Sequence, residues 1–151
     1  IMAADLTTTV TESVVLNGAL RGNTNSVTTT GINNVFERIV TCAHSNVTTV
    51  AVFATAPFTS PGAIDVENVR YVRVTNLDED GSLELVVATT VSSYTVLLTP
   101  GNSHILCLGE EVAVGEVGAP SFPTLSDLAS LQISPVGTDY NPQVAVFVAS
   151  V

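Results

Sequence analysis

Apolar and polar residues alternate in short runs along the whole chain, and Gly, Pro, Asn and Asp separate the runs. Alternation with a period of two places the apolar side chains on one face of a β-strand. The spacing of the runs predicts an all-β protein, most simply an antiparallel β-sandwich with a jelly-roll-like arrangement. The predicted strands outside the middle of the chain are Thr8–Leu16, Ser26–Thr30, Val35–Cys42, Val47–Thr55 and Gln143–Ala149.

The middle of the chain predicts two consecutive hairpins. In the first, Val69–Asn76 is followed by an acidic Asp-Glu-Asp-Gly turn and returns along Leu83–Ala88. In the second, Tyr94–Leu98 is followed by a Thr-Pro-Gly-Asn turn and returns along Ser103–Leu108. Asp-Gly and Pro-Gly pairs between alternating apolar runs are typical of hairpin turns.

One segment carries a helical pattern. Residues 124–127 read Thr-Leu-Ser-Asp, which resembles a capping box, and apolar residues follow. We therefore predict at most one short helix near residues 124–132, with an irregular connection as the alternative.

The N-terminal segment is rich in threonine and precedes the first strongly apolar run. We predict an extended arm over residues 1–9 that lies across a neighbouring subunit, followed by a single sandwich domain over residues 10–151. A frayed terminus is the alternative. The residues assigned to this interface are Leu6, Thr7, Thr8, Thr9 and Val10.

Charge narrows the choice of partners. The chain of 151 residues has a formal net charge of −10, and its basic residues are four scattered arginines, because lysine is absent. Proteins that bind nucleic acid or anionic lipid need clustered Lys and Arg, so neither is a predicted partner. The sequence shows no signal peptide and no apolar run long enough to span a membrane. Because the chain begins Ile-Met, it leaves the true N-terminus open.

Candidate chemistry is sparse. Two histidines, His44 and His104, are the available imidazole bases, and neither lies in a recognisable catalytic motif. The absence of lysine removes Schiff-base chemistry and Ser-Lys dyads. A hydrolase with paired carboxylates stays open in principle, although the chain has no Trp to hold a sugar ring. We predict that the protein is not an enzyme and uses no cofactor.

Two cysteines, Cys42 and Cys107, lie in apolar segments that are predicted to be strands. A zinc site needs four ligands at close spacing, which these residues and the two histidines do not offer. We therefore expect two buried free thiols. A disulfide between facing strands is the alternative, and it would indicate an oxidising environment.

The acidic turn partly matches a calcium-binding loop. Asn76, Asp78 and Asp80 place oxygen atoms at alternate positions, and Gly81 follows where such loops turn. The match ends at Val87, where the closing bidentate glutamate would be required. An ordinary acidic turn is the simpler interpretation, and a weak calcium site with Asn76, Asp78 and Asp80 as ligands is the alternative.

Four segments together resemble a known group of proteins. They are Leu6–Gly18 (LTTTVTESVVLNG), Arg21–Asn25 (RGNTN), Val69–Leu77 (VRYVRVTNL) and Leu98–Leu106 (LTPGNSHIL). These strand-and-turn segments are similar to those of small β-rich structural proteins in the virions of tailed bacteriophages, especially marine and cyanobacterial phages.

The resemblance implies a role played by surfaces. It implies an outer capsid decoration or cement protein that is made in the host cytoplasm, binds the major capsid protein or another virion protein, and forms homo-oligomers. A tail tube, fibre or appendage subunit is one alternative, and a receptor- or glycan-binding module is another. The net charge of −10 fits the first role, because mutual repulsion keeps a protein soluble at high local copy number.

Overall fold

A computed structural model of the chain describes residues 2–57, 62–113, 123–137 and 139–151. The described residues form β-strands, connected by turns and one short 3-10 turn at Val66–Asn68, with no α-helix among them. Val, Thr and Ile are stiff at χ1 and pack well on a pleated surface, which is why so valine- and threonine-rich a chain folds into strands. The prediction of an all-β protein is confirmed.

The structure has fourteen strands in its described parts. In chain order they are β1 (Ala4–Thr11), β2 (Val14–Leu16), β3 (Ala19–Arg21), β4 (Thr24–Ile32), β5 (Asn34–Thr41), β6 (Thr48–Ala54), β7 (Ile64–Asp65), β8 (Val69–Asn76), β9 (Leu83–Thr89), β10 (Ser93–Leu98), β11 (Ser103–Leu106), β12 (Glu110–Glu111), β13 (Ser126–Pro135) and β14 (Gln143–Ser150). The strands from β5 onward build the body of the molecule, and β1 to β4 precede it.

Two sheets pack face to face in the body. One has the strand order β10-β9-β13-β6-β7, with β12 paired to β13, and the other has the order β11-β8-β14-β5. Every pairing is antiparallel except β6 with β7. Alternate residues of the central strands are fully buried between the sheets: Leu83, Leu85, Val87, Leu131 and Ile133 from the first, and Val72, Val74, Val144, Val146 and Val148 from the second. The predicted antiparallel β-sandwich is confirmed.

The two predicted hairpins are wrong, although their strands are correctly placed. Strand β8 pairs with β11 and β14 in the four-stranded sheet, whereas β9 pairs with β10 and β13 in the other sheet. The loops after β8 and β10 therefore cross from one sheet to the other. Alternating apolar residues enter the same core whether two strands pair side by side or face each other, so the pattern cannot distinguish the two cases. The hairpin in this region is β9–β10, whose turn is closed by a hydrogen bond from Thr89 N–H to the Ser92 carbonyl at 2.8 Å.

At most one short helix was expected near residues 124–132, and none forms there. From Ser126 onward this segment belongs to β13, which lies between β9 and β6. Leu128 and Leu131 are both buried at a helix-like spacing of three because the strand register shifts between Leu128 and Ser130. A bulge adds one residue to a strand and so brings both leucines to the same face. Ser126 donates to the Glu111 carbonyl at 3.0 Å across to β12 rather than capping a helix.

Candidate interaction surface

Strands β1 to β4 form one two-stranded ribbon, Ala4–Ile32, which we call the arm. Strand β1 pairs with β4, β2 pairs with β3, and a hydrogen bond of 2.9 Å from Glu12 N–H to the Asn23 carbonyl links the two pairs. Asn17 and Gly18 close the ribbon with φ angles of 52° and 78°. Positive φ at both positions is the geometry of a type I′ turn, which Asn-Gly favours. The arm thus extends well beyond the residues 1–9 predicted, and β1 runs through the expected boundary at Val10.

Most of the arm lies away from the body. Every residue from Val10 to Thr28 is exposed. From the half-buried Thr8 to the turn at Asn17, a strand rising ~3.4 Å per residue projects by about 30 Å. An isolated pair of strands stabilises itself poorly in water, so such a projection is typical of an element that packs against something else.

The far end of the arm, which we call the tip, is the β2–β3 hairpin. Its large apolar side chains are unusually exposed: 55% for Val14, 70% for Val15, 58% for Leu16 and 72% for Leu20. Cross-strand partners share a face, so Val14, Leu16 and Arg21 lie on one side of the tip while Val15 and Leu20 lie on the other. The tip therefore exposes apolar side chains on both of its faces.

One face of the arm near its base is a row of hydroxyl groups. Cross-strand hydrogen bonds join the side chains of Thr7 to Thr28 at 3.3 Å, Thr9 to Ser26 at 2.9 Å and Thr11 to Thr24 at 3.3 Å. These pairs fasten the two strands of the arm to each other. The threonine-rich composition that suggested an arm therefore has a local structural role.

The opposite face of the arm's base lies on the body. Leu6 and Thr8 are half-buried, and a shallow cavity of about 260 Å³ separates β1 from Tyr71, Arg73 and Phe147 on the outer face of the four-stranded sheet. The Tyr71 and Phe147 rings meet edge to face at 5.9 Å, and the Arg73 guanidinium lies 5.9 Å from the Phe147 ring. The base of the arm and the outer face of this sheet therefore line the same shallow cavity.

The predicted interface residues are thus divided between three environments. Leu6 and Thr8 face the chain's own body, Thr7 and Thr9 belong to the hydroxyl row, and Val10 is 47% exposed. The prediction missed the tip. Its signal was present, because Asn-Gly between the apolar residues of Val14–Leu16 and Ala19–Leu20 is a strong hairpin indicator.

The acidic turn uses its polar side chains to hold the fold. Asn76 is fully buried, and its side-chain nitrogen donates to the carbonyls of Gly81 at 2.9 Å and Leu98 at 3.0 Å. Its side-chain oxygen accepts from Asp78 N–H at 2.9 Å, and a carboxylate oxygen of Asp78 accepts from Glu79 N–H at 2.8 Å. Of the proposed calcium ligands, Asn76 is thus occupied by the protein itself. Among the described residues, no three His, Cys, Asp or Glu side chains are grouped so that they could hold a metal ion.

Gly81 has a packing role in the same turn. Its φ is not in the positive range, but a Cβ at this position would overlap the ring of Tyr140. The Tyr140 hydroxyl donates to the Ser82 carbonyl at 2.7 Å. The glycine is required here by the close approach of an aromatic ring rather than by its backbone conformation.

The two histidines lie in separate places. His44 contacts the Asn141 side-chain oxygen through its backbone N–H at 2.8 Å and through Nδ1 at 3.0 Å. His104 lies on β11, with Nε2 at 3.4 Å from the Tyr94 hydroxyl. Burial lowers the pKa of His104, and the nearby negative charge of Glu111 partly opposes that shift. Burial and Glu111 both raise the pKa of Tyr94.

Both cysteines are free thiols, as expected, and the alternative disulfide is not formed. Cys42 is fully buried, and Thr48 donates its hydroxyl to the Cys42 sulfur at 3.3 Å. The expected burial of Cys107 is wrong, because β11 ends at Leu106 and Cys107 lies exposed in the bend that follows.

An open cleft lies beside β5. It has a volume of about 540 Å³, and Phe36, Arg38, Ile64 and Asp65 are among its described lining residues. The Arg38 guanidinium lies 5.0 Å from the Phe36 ring. An arginine on the inner side of an edge strand discourages unwanted strand pairing through that side.

Comparisons with known proteins leave the surface as the main guide to function. The chain matches no protein-family model, no curated protein and no solved structure. None of the described residues forms a helix long and apolar enough to cross a membrane. The feature of the described structure that calls for a partner is the arm with its apolar tip.

Proposed function

We propose that the protein is a non-enzymatic structural protein of a tailed-bacteriophage virion, and specifically an outer capsid decoration or cement protein. The observation that carries this proposal is the arm, which projects apolar side chains from a compact acidic sandwich. Such an element contributes no chemistry of its own, but it provides contact area for a neighbouring protein. The similarity of its strand-and-turn segments to phage virion proteins supports the same role.

The mechanism is burial of surface between subunits. The arm and the exposed sheet edges offer apolar area and backbone hydrogen-bonding groups to the major capsid protein, to another virion protein or to further copies of the chain. The acidic body faces outward, where repulsion between subunits maintains solubility. Binding that links adjacent capsid proteins would stabilise the shell by raising the cost of separating them.

Electron microscopy of the native virion tests the location. We expect density for the sandwich at regular positions on the capsid exterior, and we expect the protein to be detected by mass spectrometry in purified particles. Particles lacking the protein should release their genome at a lower temperature, and added purified protein should restore the original temperature. Absence of the protein from purified virions would contradict the proposal.

A tail tube, fibre or appendage subunit is the second candidate. It is favoured by the separation between the arm's tip and the body, because contacts between unlike surfaces generate rings and helical assemblies. Density arranged as rings or a helix along the tail would select this alternative over the capsid exterior.

A further inference from the structure

The tip needs a partner that the chain's own body does not supply. Its apolar side chains lie on both faces of a two-stranded ribbon, which is marginally stable in water when nothing covers it. The chain exposes 9144 Å² of surface. A compact monomer of 15.6 kDa exposes about 7,200 Å². The excess of about 1,900 Å² is more than twice the ~800 Å² per partner that a stable protein interface buries.

Charge distinguishes the arm from the body. Residues 13–33 contain no acidic side chain and include Arg21, whereas residues 34–151 carry a net charge of −9. Two acidic bodies repel each other, so a contact between copies is favoured where one side is not acidic. The arm beyond Glu12 is one segment that meets this condition, and its residues from Val10 to Thr28 are all exposed.

The outer face of β5 offers a complementary surface. Strand β5 pairs with β14 on one side, and no described strand pairs with it on the other. Val35, Glu37 and Ile39 alternate along its outer face, opposite Ala149, Phe147 and Ala145 of β14. Val35 is 47% exposed and Ile39 is 67% exposed, and Glu37 lies exposed between them. Two apolar side chains, Val35 and Ile39, with the acidic Glu37 between them, therefore face away from the body.

We infer that the tip of one copy packs on the outer face of β5 in a second copy of the chain. Val14 and Leu16 would cover Val35 and Ile39, and Arg21 would pair with Glu37. The arm's own residues from Val10 to Thr28 are all exposed, so the tip does not reach the β5 of its own chain. The contact joins unlike surfaces, and it propagates from copy to copy as a ring or an open chain.

This inference deepens the proposed function by naming one partner of the arm. It rests on that proposal only for the place of the contact in a virion. The test therefore uses purified protein alone. A result on self-association leaves the question of virion location to the particle experiments, so the two can fail separately.

Charge reversal tests the contact by sedimentation velocity over a range of concentrations. Arg21→Glu and Glu37→Arg should each weaken self-association by about tenfold or more, because each places like charges together. The double variant R21E/E37R restores the pair with its sign exchanged, so it should associate within about threefold of the original protein. Circular dichroism and thermal unfolding of each variant should match the original protein.

Mixing two defective copies tests the direction of the contact. Leu16→Asp places a charge on the apolar tip, and Ile39→Asp places a charge on the outer face of β5. Each variant alone should therefore be monomeric. A mixture should form a one-to-one complex, since each variant retains the surface that the other lacks. Leu97→Asp is the matched control, because Leu97 is 56% exposed on the outer face of the other sheet, and this variant should still self-associate.

The inference would be overturned if the original protein were monomeric at about 100 μM, a concentration well above the micromolar affinities of ordinary interfaces. It would also be overturned if the double charge reversal did not recover self-association, or if the mixture of Leu16→Asp with Ile39→Asp formed no complex. Loss of self-association in Leu97→Asp would also contradict it, because that result would place the contact on the other sheet.

Discussion

At the scale of single residues, Asn76 is a fully buried polar side chain that connects separate parts of the sandwich. Its amide joins two loops that cross between the sheets at the same end of the sandwich, through the carbonyls of Gly81 and Leu98. Its backbone adds to this, because Asn76 N–H donates to the Asn102 carbonyl at 2.9 Å and Gly101 N–H donates to the Asn76 carbonyl at 3.0 Å. A buried amide with all of these partners holds both crossings in one geometry.

Replacing Asn76 should therefore destabilise the protein strongly. We expect Asn76→Ala to lower the free energy of unfolding by about 3 kcal/mol, because it leaves buried carbonyl and N–H groups without partners. Urea denaturation followed by circular dichroism measures the change. Asn25→Ala, at an exposed position on the arm, is the control and should change stability by less than about 0.5 kcal/mol. A similar small effect for Asn76→Ala would contradict the role assigned to its amide.

At the scale of elements, the alternation of apolar and polar residues predicts where the strands lie. The course of the loops between them decides which strands pair. Strands β8 and β9 carry the pattern of a hairpin and yet face each other across the core in different sheets. Strands β10 and β11 do the same, and the contact between Tyr94 and His104 lies where these two strands come together. His104 is half-buried at this crossing, so its titration should make the stability of the sandwich depend on pH.

Acidification should destabilise the protein through His104. Its pKa is lower in the folded protein than the ordinary 6.5, so the unfolded chain binds the proton more tightly and protonation favours unfolding. The stabilisation is fully present above pH 6.5 and decreases as the pH falls from 6.5 towards the lowered folded pKa.

Unfolding free energies measured from about pH 7.5 to about pH 5.5, where histidine titrates, test this dependence. Stability should fall with pH in the original protein and less steeply in His104→Gln. His44→Gln is the matched control for replacing a histidine at an exposed position. Identical slopes in the original protein and His104→Gln would refute the assignment.

At the scale of the whole molecule, the body and most of the arm are separate structural units. The body has its own core between two sheets, and the arm from Val10 to Thr28 is exposed throughout. The arm joins the body at its base, where Ile32 is buried and the neighbouring Asn33 N–H donates to the Ser150 carbonyl at 2.9 Å. The stability of the body should therefore depend little on the exposed part of the arm.

A shortened arm should leave the body folded. In this variant, Asn-Gly replaces residues 8–27, so that Thr7 and Thr28, which are paired in the original ribbon, flank a two-residue turn. We expect the free energy of unfolding to change by no more than about 1 kcal/mol, because the deletion removes few contacts with the body. Thermal denaturation and the near-ultraviolet circular dichroism spectrum measure this. Loss of cooperative unfolding would mean that the arm is part of the body's core.

The sequence could predict those features that depend on neighbours along the chain. The bounds of β5, β8, β9, β10 and β14 follow from alternation to within one or two residues. The free thiols and the absence of basic clusters also follow from residue identities and spacing. Strand β13 was missed because its bulge produces a helix-like spacing of leucines, and the exposure of Cys107 was missed because the end of β11 has no clear local signal.

The sequence by itself determined that this chain is an acidic all-β protein with turns at defined places, because side-chain alternation and turn preferences act over a few residues. Only the tertiary structure decided which strands pair and that the N-terminal strands project as an arm. It also decided that the buried Asn76 side chain hydrogen-bonds to the protein's own backbone rather than to a metal ion. Those outcomes depend on contacts between residues far apart in the chain. A pattern that places side chains on one face of a strand does not specify what that face meets.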